Sequence, residues 1–232
     1  MMKQDYILRV IEEFGQAWAL VVARLRSGRY AEALEGADEV ARRHVGLSLN
    51  LINGMSSQDL LGLMHVGDSL DQGRCVLLAE LLREQGEILE LQGQPAEAVV
   101  ARVKALDIFL EVHDAYAAPE LAERHAAIER MIGRLEQYRL PPAVLLRLLP
   151  YYERAGRYAD AEDVLYELLA ETRTLDTGEF ETAADAGAAF YERLLALSDS
   201  KLSSGGLPRD EVEEGRHTLE QMRTEPPGGK GG

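Results

Sequence analysis

The chain is poor in the residues that close disulfides, cross membranes or grip nucleic acids. Its one cysteine in 232 residues, Cys75, has no internal partner. That excludes a disulfide-stapled scaffold and fits a reducing, cytoplasmic setting. No apolar run approaches the roughly 18 residues a spanning helix needs, so an integral membrane protein is excluded. The first residues mix acids into their apolar pattern and lack a small-residue cleavage site, so no secretory signal is expected. Lysine is scarce: Lys3, Lys104, Lys201 and Lys230 stand against 21 arginines, and asparagine occurs twice. This bias points to a GC-rich bacterial source. Forty acidic residues against 25 basic ones leave a net charge of −15. Such a surplus repels phosphate backbones and anionic lipid, arguing against nucleic-acid and membrane partners. With 46% hydrophobic residues the chain is nevertheless too apolar for disorder, and it is long enough for a core.

Motifs that build catalytic sites are equally sparse. No phosphate-cradling G-x-x-x-x-G-K or G-x-G-x-x-G occurs. His44, His65, His113, His125 and His217 are scattered without metal-ligand spacing, and one cysteine adds no local zinc cluster. Glu214 and His217 alone show the E-x-x-H spacing of di-iron bundles, with no second copy. His125 and Glu129 are expected to form an ordinary helix-surface pair. Ser56 and Ser57 read as helix-capping residues, and Cys75 as a small buried hydrophobe. Neither a cofactor nor a metal is expected.

What the chain has in abundance is helical periodicity. Ile7, Leu8, Ile11, Phe14, Trp18, Val21, Val22 and Leu25 form one broad apolar stripe. Phe14 and Trp18, one turn apart, are expected in the core, with a dimer surface as the alternative. Gly28 ends this helix and a second runs from Tyr30 to about His44. Residues 46–56 look loose, Ser56 and Asp59 cap a short helix to about Leu63, and Gly67, Asp68 and Ser69 make a turn. Asp71 caps a long helix through Gln92. Pro95 opens one to about Val112, and Pro119 another to Tyr138. After the Pro141-Pro142 break, helices are expected over 143–155 and 158–173. Asp176 and Glu179 have capping-box spacing for a helix to about Leu197. Ser203, Ser204, Gly205 and Gly206 read as a hinge before a last helix from Pro208 to Met222. No stretch alternates long enough to predict a strand. The fold class expected is all-α, with nine or ten helices forming one domain over 1–223, followed by a disordered Pro/Gly-rich tail over 224–232.

Three inter-helix turns share a pattern: G-R-Y-A-E-A at 28–33, G-Q-P-A-E-A at 93–98 and G-R-Y-A-D-A at 156–161. The pattern resembles the turn of the tetratricopeptide repeat, in which glycine closes the first helix and a small alanine lets the second approach. Leu82, Gly86, Leu89, Ala98, Ala105 and Leu106 extend the match in the middle copy. Tyr152, Tyr158, Ala161 and Leu169 extend it in the third, and Leu20, Tyr30, Ala33 and Ala41 in the first. Tyr151, beside Tyr152, points differently from it and is the one of the two open to exposure. The glycines lie 65 and 63 residues apart, so the array is an irregular one with extra helices between pairs. The opening K-Q-D-Y-I-L-R-V-I-E also resembles the N-terminus of a bacterial family of tetratricopeptide-like proteins with no assigned activity.

The resemblance implies a groove, lined by the first helix of each pair, that takes a protein or peptide partner. Its positions are Glu80, Arg83, Glu87 and Glu90 in the middle pair and Leu146, Glu153 and Arg154 in the third. Glu80, Arg83, Glu84 and Glu87 stand where the carboxylate-clamp subclass needs lysine and asparagine. That disfavours an acidic C-terminal ligand and favours a basic or neutral one. The expected function is a non-enzymatic interaction or scaffold protein, self-association through the end helices included. The alternatives are a ligand- or peptide-sensing regulatory repeat protein and an enzyme with a dispersed His/Glu site.

Overall fold

The computed structural model describes residues 2–113, 118–173 and 177–224, with side chains over 12–113, 125–173 and 178–224. Twelve α-helices run through the described residues: α1 Met2–Arg26, α2 Tyr30–Val40, α3 Leu49–Gly54, α4 Ser57–Leu63, α5 Gln72–Leu91, α6 Pro95–Val112, α7 Ala118–Leu135, α8 Pro142–Arg154, α9 Tyr158–Arg173, α10 Thr177–Leu195, α11 Asp199–Ser204 and α12 Arg209–Thr224. A π-turn, Ala41–Val45, continues α2. The fold is all-α, as expected. It has more helices than nine or ten because two short ones lie where the sequence suggested loop or hinge. Ser48 caps α3 by accepting the Leu51 N–H at 3.3 Å, and α11 fills the approach to Gly205. A two-residue ladder, β1 His65–Val66 with β2 Ser69–Leu70, flanks the expected turn at Gly67. Among the described residues no helix is long and apolar enough to cross a membrane.

The residues chosen as helix starts act as such. Ser56 accepts the Asp59 N–H and Asp71 the Arg74 N–H, each at 3.1 Å, and Pro95 sits in a first turn; the helix expected from 143 opens on Pro142, the second proline of the break. The side chains of residues 3–11, Pro119, Asp176 of the expected capping box and the tail from 225 onward lie outside the described residues.

The three repeated turns share one hydrogen-bond pattern. The N–H of Gly28 reaches the Leu25 carbonyl at 2.9 Å while that of Arg29 reaches Arg24 at 3.0 Å. Gly93 with Glu90 and Gln94 with Leu89 repeat it, as do Gly156 with Glu153 and Arg157 with Tyr152. This double closure of the last carbonyls needs a left-handed residue, and the three glycines have φ of 76°, 74° and 73°. The supposed hinge is a fourth example, with Gly206 bonding Ser203 and Leu207 bonding Leu202. It is packed rather than loose. The Gly205 carbonyl accepts the Ala159 N–H, and a side chain at 205 would strike the Tyr158 ring and the Gly156 carbonyl.

Contacts gather into two compact units, Met1–Arg139 and Leu140–Gly232, where the sequence suggested one array. In the first unit α5 and α6 form the most extensively packed pair, followed by α1 and α2. Leu78, Leu81, Leu82, Leu106, Ile108 and Phe109 are fully buried there. Gly86 lets α5 and α6 close: a Cβ on it would lie 2.9 Å from Arg102 Cγ and 3.3 Å from the Ala98 carbonyl oxygen. Lys104 of α6 donates to the Ile52 and Asn53 carbonyls at the end of α3, and Arg74 donates twice to the Val45 carbonyl that ends the π-turn. Cys75 is fully buried, and burial pushes its thiol up to about 12.

The second unit is built on α8 against α9, with α10 and α12 closing on each other. Tyr151 does not point outward; it is 1% exposed. It continues the row Val144–Leu148 on α8, while Tyr152 continues Leu145–Leu149, so the buried face is two rows wide. Tyr158 is buried, whereas Tyr30 in the equivalent place of the first pair is 56% exposed. The difference follows from the turn around Gly205 that covers Tyr158. Half-buried Glu162 of α9 accepts the Tyr191 hydroxyl at 2.7 Å. Burial raises the Glu162 pKa above its ordinary 4.5, helped by Glu211, Asp163 and Glu214 and against the effect of the Tyr191 bond.

Two expectations follow. Ala98→Leu and Ala161→Leu should each destabilise by about 1–3 kcal/mol through overpacking, read as lowered midpoints in denaturant titrations. Because the folded pKa of Glu162 is raised, its ionised form costs stability as pH rises above the unfolded value. Glu162→Gln should therefore raise the melting temperature at neutral pH, and the gain should vanish below about pH 4.5.

Candidate interaction groove

The residues expected along one groove fall into three places. In the first unit, Glu80, Arg83 and Glu84 of α5 face α1 across an open groove of about 820 Å³. Phe14, Trp18 and Val22 of α1 give it an apolar floor, with Gly15, Ala19 and Ala23 interleaved as small steps. Four-residue spacing keeps both sets on one side of α1, and the small set leaves the room. Arg26 and Ser27 close one end. The Phe14 and Trp18 rings stack at 5.9 Å, and both residues are buried in the core of the pair, as expected.

The wall is a relay of charge. Trp18 Nε1 donates to Glu84 Oε2 at 3.1 Å, Arg83 donates to the other oxygen of Glu84, and Arg83 Nε donates to Glu80 Oε2 at 2.8 Å. Burial works against the charge on Arg83, but the carboxylates of Glu80 and Glu84 outweigh it and raise its pKa. A buried indole N–H is thus satisfied, and the arginine is held on the wall by two carboxylates. Two carboxylates and two guanidiniums line this groove, so its local charge is balanced rather than acidic.

Glu87 and Glu90 do not join it. Seven residues carry the helix forward by about 10.5 Å, beyond α1 and alongside α6 and α7. There Glu90 pairs with Arg102 of α6 and, at 2.8 Å, with Arg134 of α7. Glu87 lies 3.4 Å from Arg102 and 3.3 Å from Arg134. The hydrogen bond from Arg102 holds Glu90 below the usual carboxylate range, with Arg134 adding to it.

The third set belongs to the second unit. Glu153 is engaged by Arg193 of α10 through two bonds, at 2.7 and 2.8 Å, while Leu146 is half-buried and Arg154 exposed on α8. His125 and Glu129 form the expected surface pair, at 3.9 Å, and His217 sits beside Gln221 Nε2 at 2.8 Å. Among the described residues no three His, Cys, Asp or Glu side chains converge as metal ligands would. Sequence reasoning missed Arg102 and Arg134: a buried arginine such as Arg102 has no signature beyond its place in an apolar row, and half-exposed Arg134 reads as an ordinary surface residue. The interleaved Phe14, Gly15, Trp18, Ala19, Val22 and Ala23 were readable as a signal for the groove floor.

Residues 1–224 match a family of unknown function, DUF6483. The chain belongs to that family. No curated protein and no solved structure matches it. The span shared with DUF6483 takes in both compact units, so the groove and the arginine-rich region beside it fall inside the matched residues.

Glu84→Ala removes the indole's acceptor and one of the two carboxylates on Arg83. It should cost about 1–3 kcal/mol and shift the emission of Trp18, the one tryptophan of the chain. Glu84→Gln, which keeps an acceptor, should shift the emission less.

Proposed function

We propose that this DUF6483 protein is a non-enzymatic, tetratricopeptide-like interaction protein that seats a protein or peptide segment in the groove between α1 and α5. The observation that carries this reading is the composition of the groove: α1 and α5 are the first helices of two consecutive pairs with matching turns, and an apolar floor faces a polar wall. Val22, Ala19 and Ala23, exposed or half-exposed over the buried Phe14 and Trp18, offer apolar area to an incoming side chain. Glu80, Glu84 and Arg83 offer hydrogen-bond partners that fix orientation. The balanced local charge favours a segment of mixed or neutral character. The overall charge of −15 counts against nucleic acid, and the buried thiol of Cys75 is compatible with a cytoplasmic setting.

A second copy of the chain is the other partner with an observation behind it. Leu20, Tyr30 and Leu34 are exposed on α1 and α2, the end pair of the first unit.

The readings separate with a photo-crosslinking residue at Ala19 of the intact protein in its own cytosol. A discrete adduct to another protein, lost when Ala23→Arg blocks the groove without changing the melting temperature, is the expected result. An adduct to a second copy would establish self-association instead. No adduct from Ala19, with adducts from position 34, would move the partner off the groove.

A further inference from the structure

Beside the groove lies a second cavity, of about 280 Å³, with an unusual lining for so acidic a chain. Arg83 of α5, Arg102 of α6 and Arg130 and Arg134 of α7 surround it, with Glu87, Ala127 and Met131. We propose that it binds the phosphoryl group of a small ligand, with these four guanidiniums as its donors.

Three observations carry this. The lining holds four arginines and one glutamate, and three of the arginines, Arg83, Arg102 and Arg134, are also paired with Glu80, Glu84 or Glu90 from outside it. Arg102 has a side chain only 6% exposed, and its Nε has no hydrogen-bond partner, although its terminal nitrogen reaches Glu90, Glu87 and the Gly86 carbonyl. A guanidinium removed from water normally spends all its donors on acceptors. Arg130 has no ion pair among the described residues.

The carboxylate already present shows where an oxyanion is accepted. Glu87 reaches Arg102 and Arg134 at 3.4 and 3.3 Å, longer than the roughly 2.7–2.9 Å of a well-made guanidinium–carboxylate bond. Glu90 takes the same two arginines closely and neutralises much of their charge. Glu87 is thus the loosely held anion of the cavity and the one a phosphoryl group would displace. Guanidiniums on three helices present planar donor forks from different sides, which suits a tetrahedral group with three equivalent oxygens. Arg102 lies deepest and Arg130 and Arg134 toward solvent, giving the ligand an entry. Arg83 lines this cavity and the groove alike, so the two sites share one side chain. The inference stands whether or not the groove binds a partner.

Calorimetric titration of the full chain with inorganic phosphate, at constant ionic strength and with chloride as the reference anion, tests it. The expected result is saturable one-site binding at millimolar phosphate or below, weakened about tenfold or more by Arg130→Gln. Glu87→Gln removes the competing carboxylate and should tighten binding. Neither substitution touches the Arg102–Glu90 pair that joins α5 to α6, and circular dichroism checks that both variants keep the fold. A parallel titration with glycerol 3-phosphate separates sources: tighter binding than phosphate marks a phosphorylated metabolite, weaker binding the free ion. Absence of saturable binding by both probes would overturn the proposal. So would phosphate binding that Arg130→Gln and Glu87→Gln leave unchanged.

Discussion

The left-handed glycine at the end of a helix is the constraint from which the helix pairs follow. With its φ positive, two carbonyls of the last turn are satisfied at once, and the chain reverses within a few residues. Alanine at Ala33, Ala98 and Ala161, all buried, then sets how near the second helix comes to the first. The turn makes the pairs alike; what surrounds each pair makes them different. Tyr158 becomes a core residue because another turn lies over it, while Tyr30, with the same place in the pattern, stays exposed.

Helix α5 is where architecture and surface chemistry meet. Its apolar face belongs to the core with α6, and its polar residues serve two successive environments as the helix advances. Over Glu80 to Glu84 the neighbour is α1, and the carboxylates hold a tryptophan and an arginine. Over Glu87 and Glu90 the neighbours are α6 and α7, and the carboxylates hold arginines from both. A net charge of −15 therefore coexists with internal regions where charge is matched nearly one to one. Paired carboxylates on this helix are structural elements first, and they contribute little to a long-range field.

Most of the helices were legible because capping and periodicity are local. Ser56, Asp71, Pro95, Pro142 and the turn glycines each act within four residues of themselves, so the chain order alone places them. The same locality explains the failures. Short α3 and α11 offer too few turns for a period to register, and Gly205-Gly206 looks like freedom until Tyr158 is known to pack against it. The placement of Tyr151 stays open in the sequence because one apolar row does not show a buried face two rows wide. For the groove, the identity of Glu80 and Arg83 as wall residues was readable from their register. The departure of Glu87 and Glu90 was not, since it depends on Arg102 and Arg134, which lie 12 and 44 residues from Glu90.

The solitary thiol has a use of its own. Cys75 sits in the first turn of α5 with no exposure to solvent, and its pKa of about 12 leaves almost no thiolate at neutral pH. In the native arrangement it is therefore out of reach of alkylating reagents. It becomes reactive only when the start of α5 separates from its neighbours. Since no other sulfhydryl competes, the labelling rate of the untouched protein reads the opening equilibrium of that region. The chain thus carries a built-in clock for local unfolding at the base of the helix that lines both cavities.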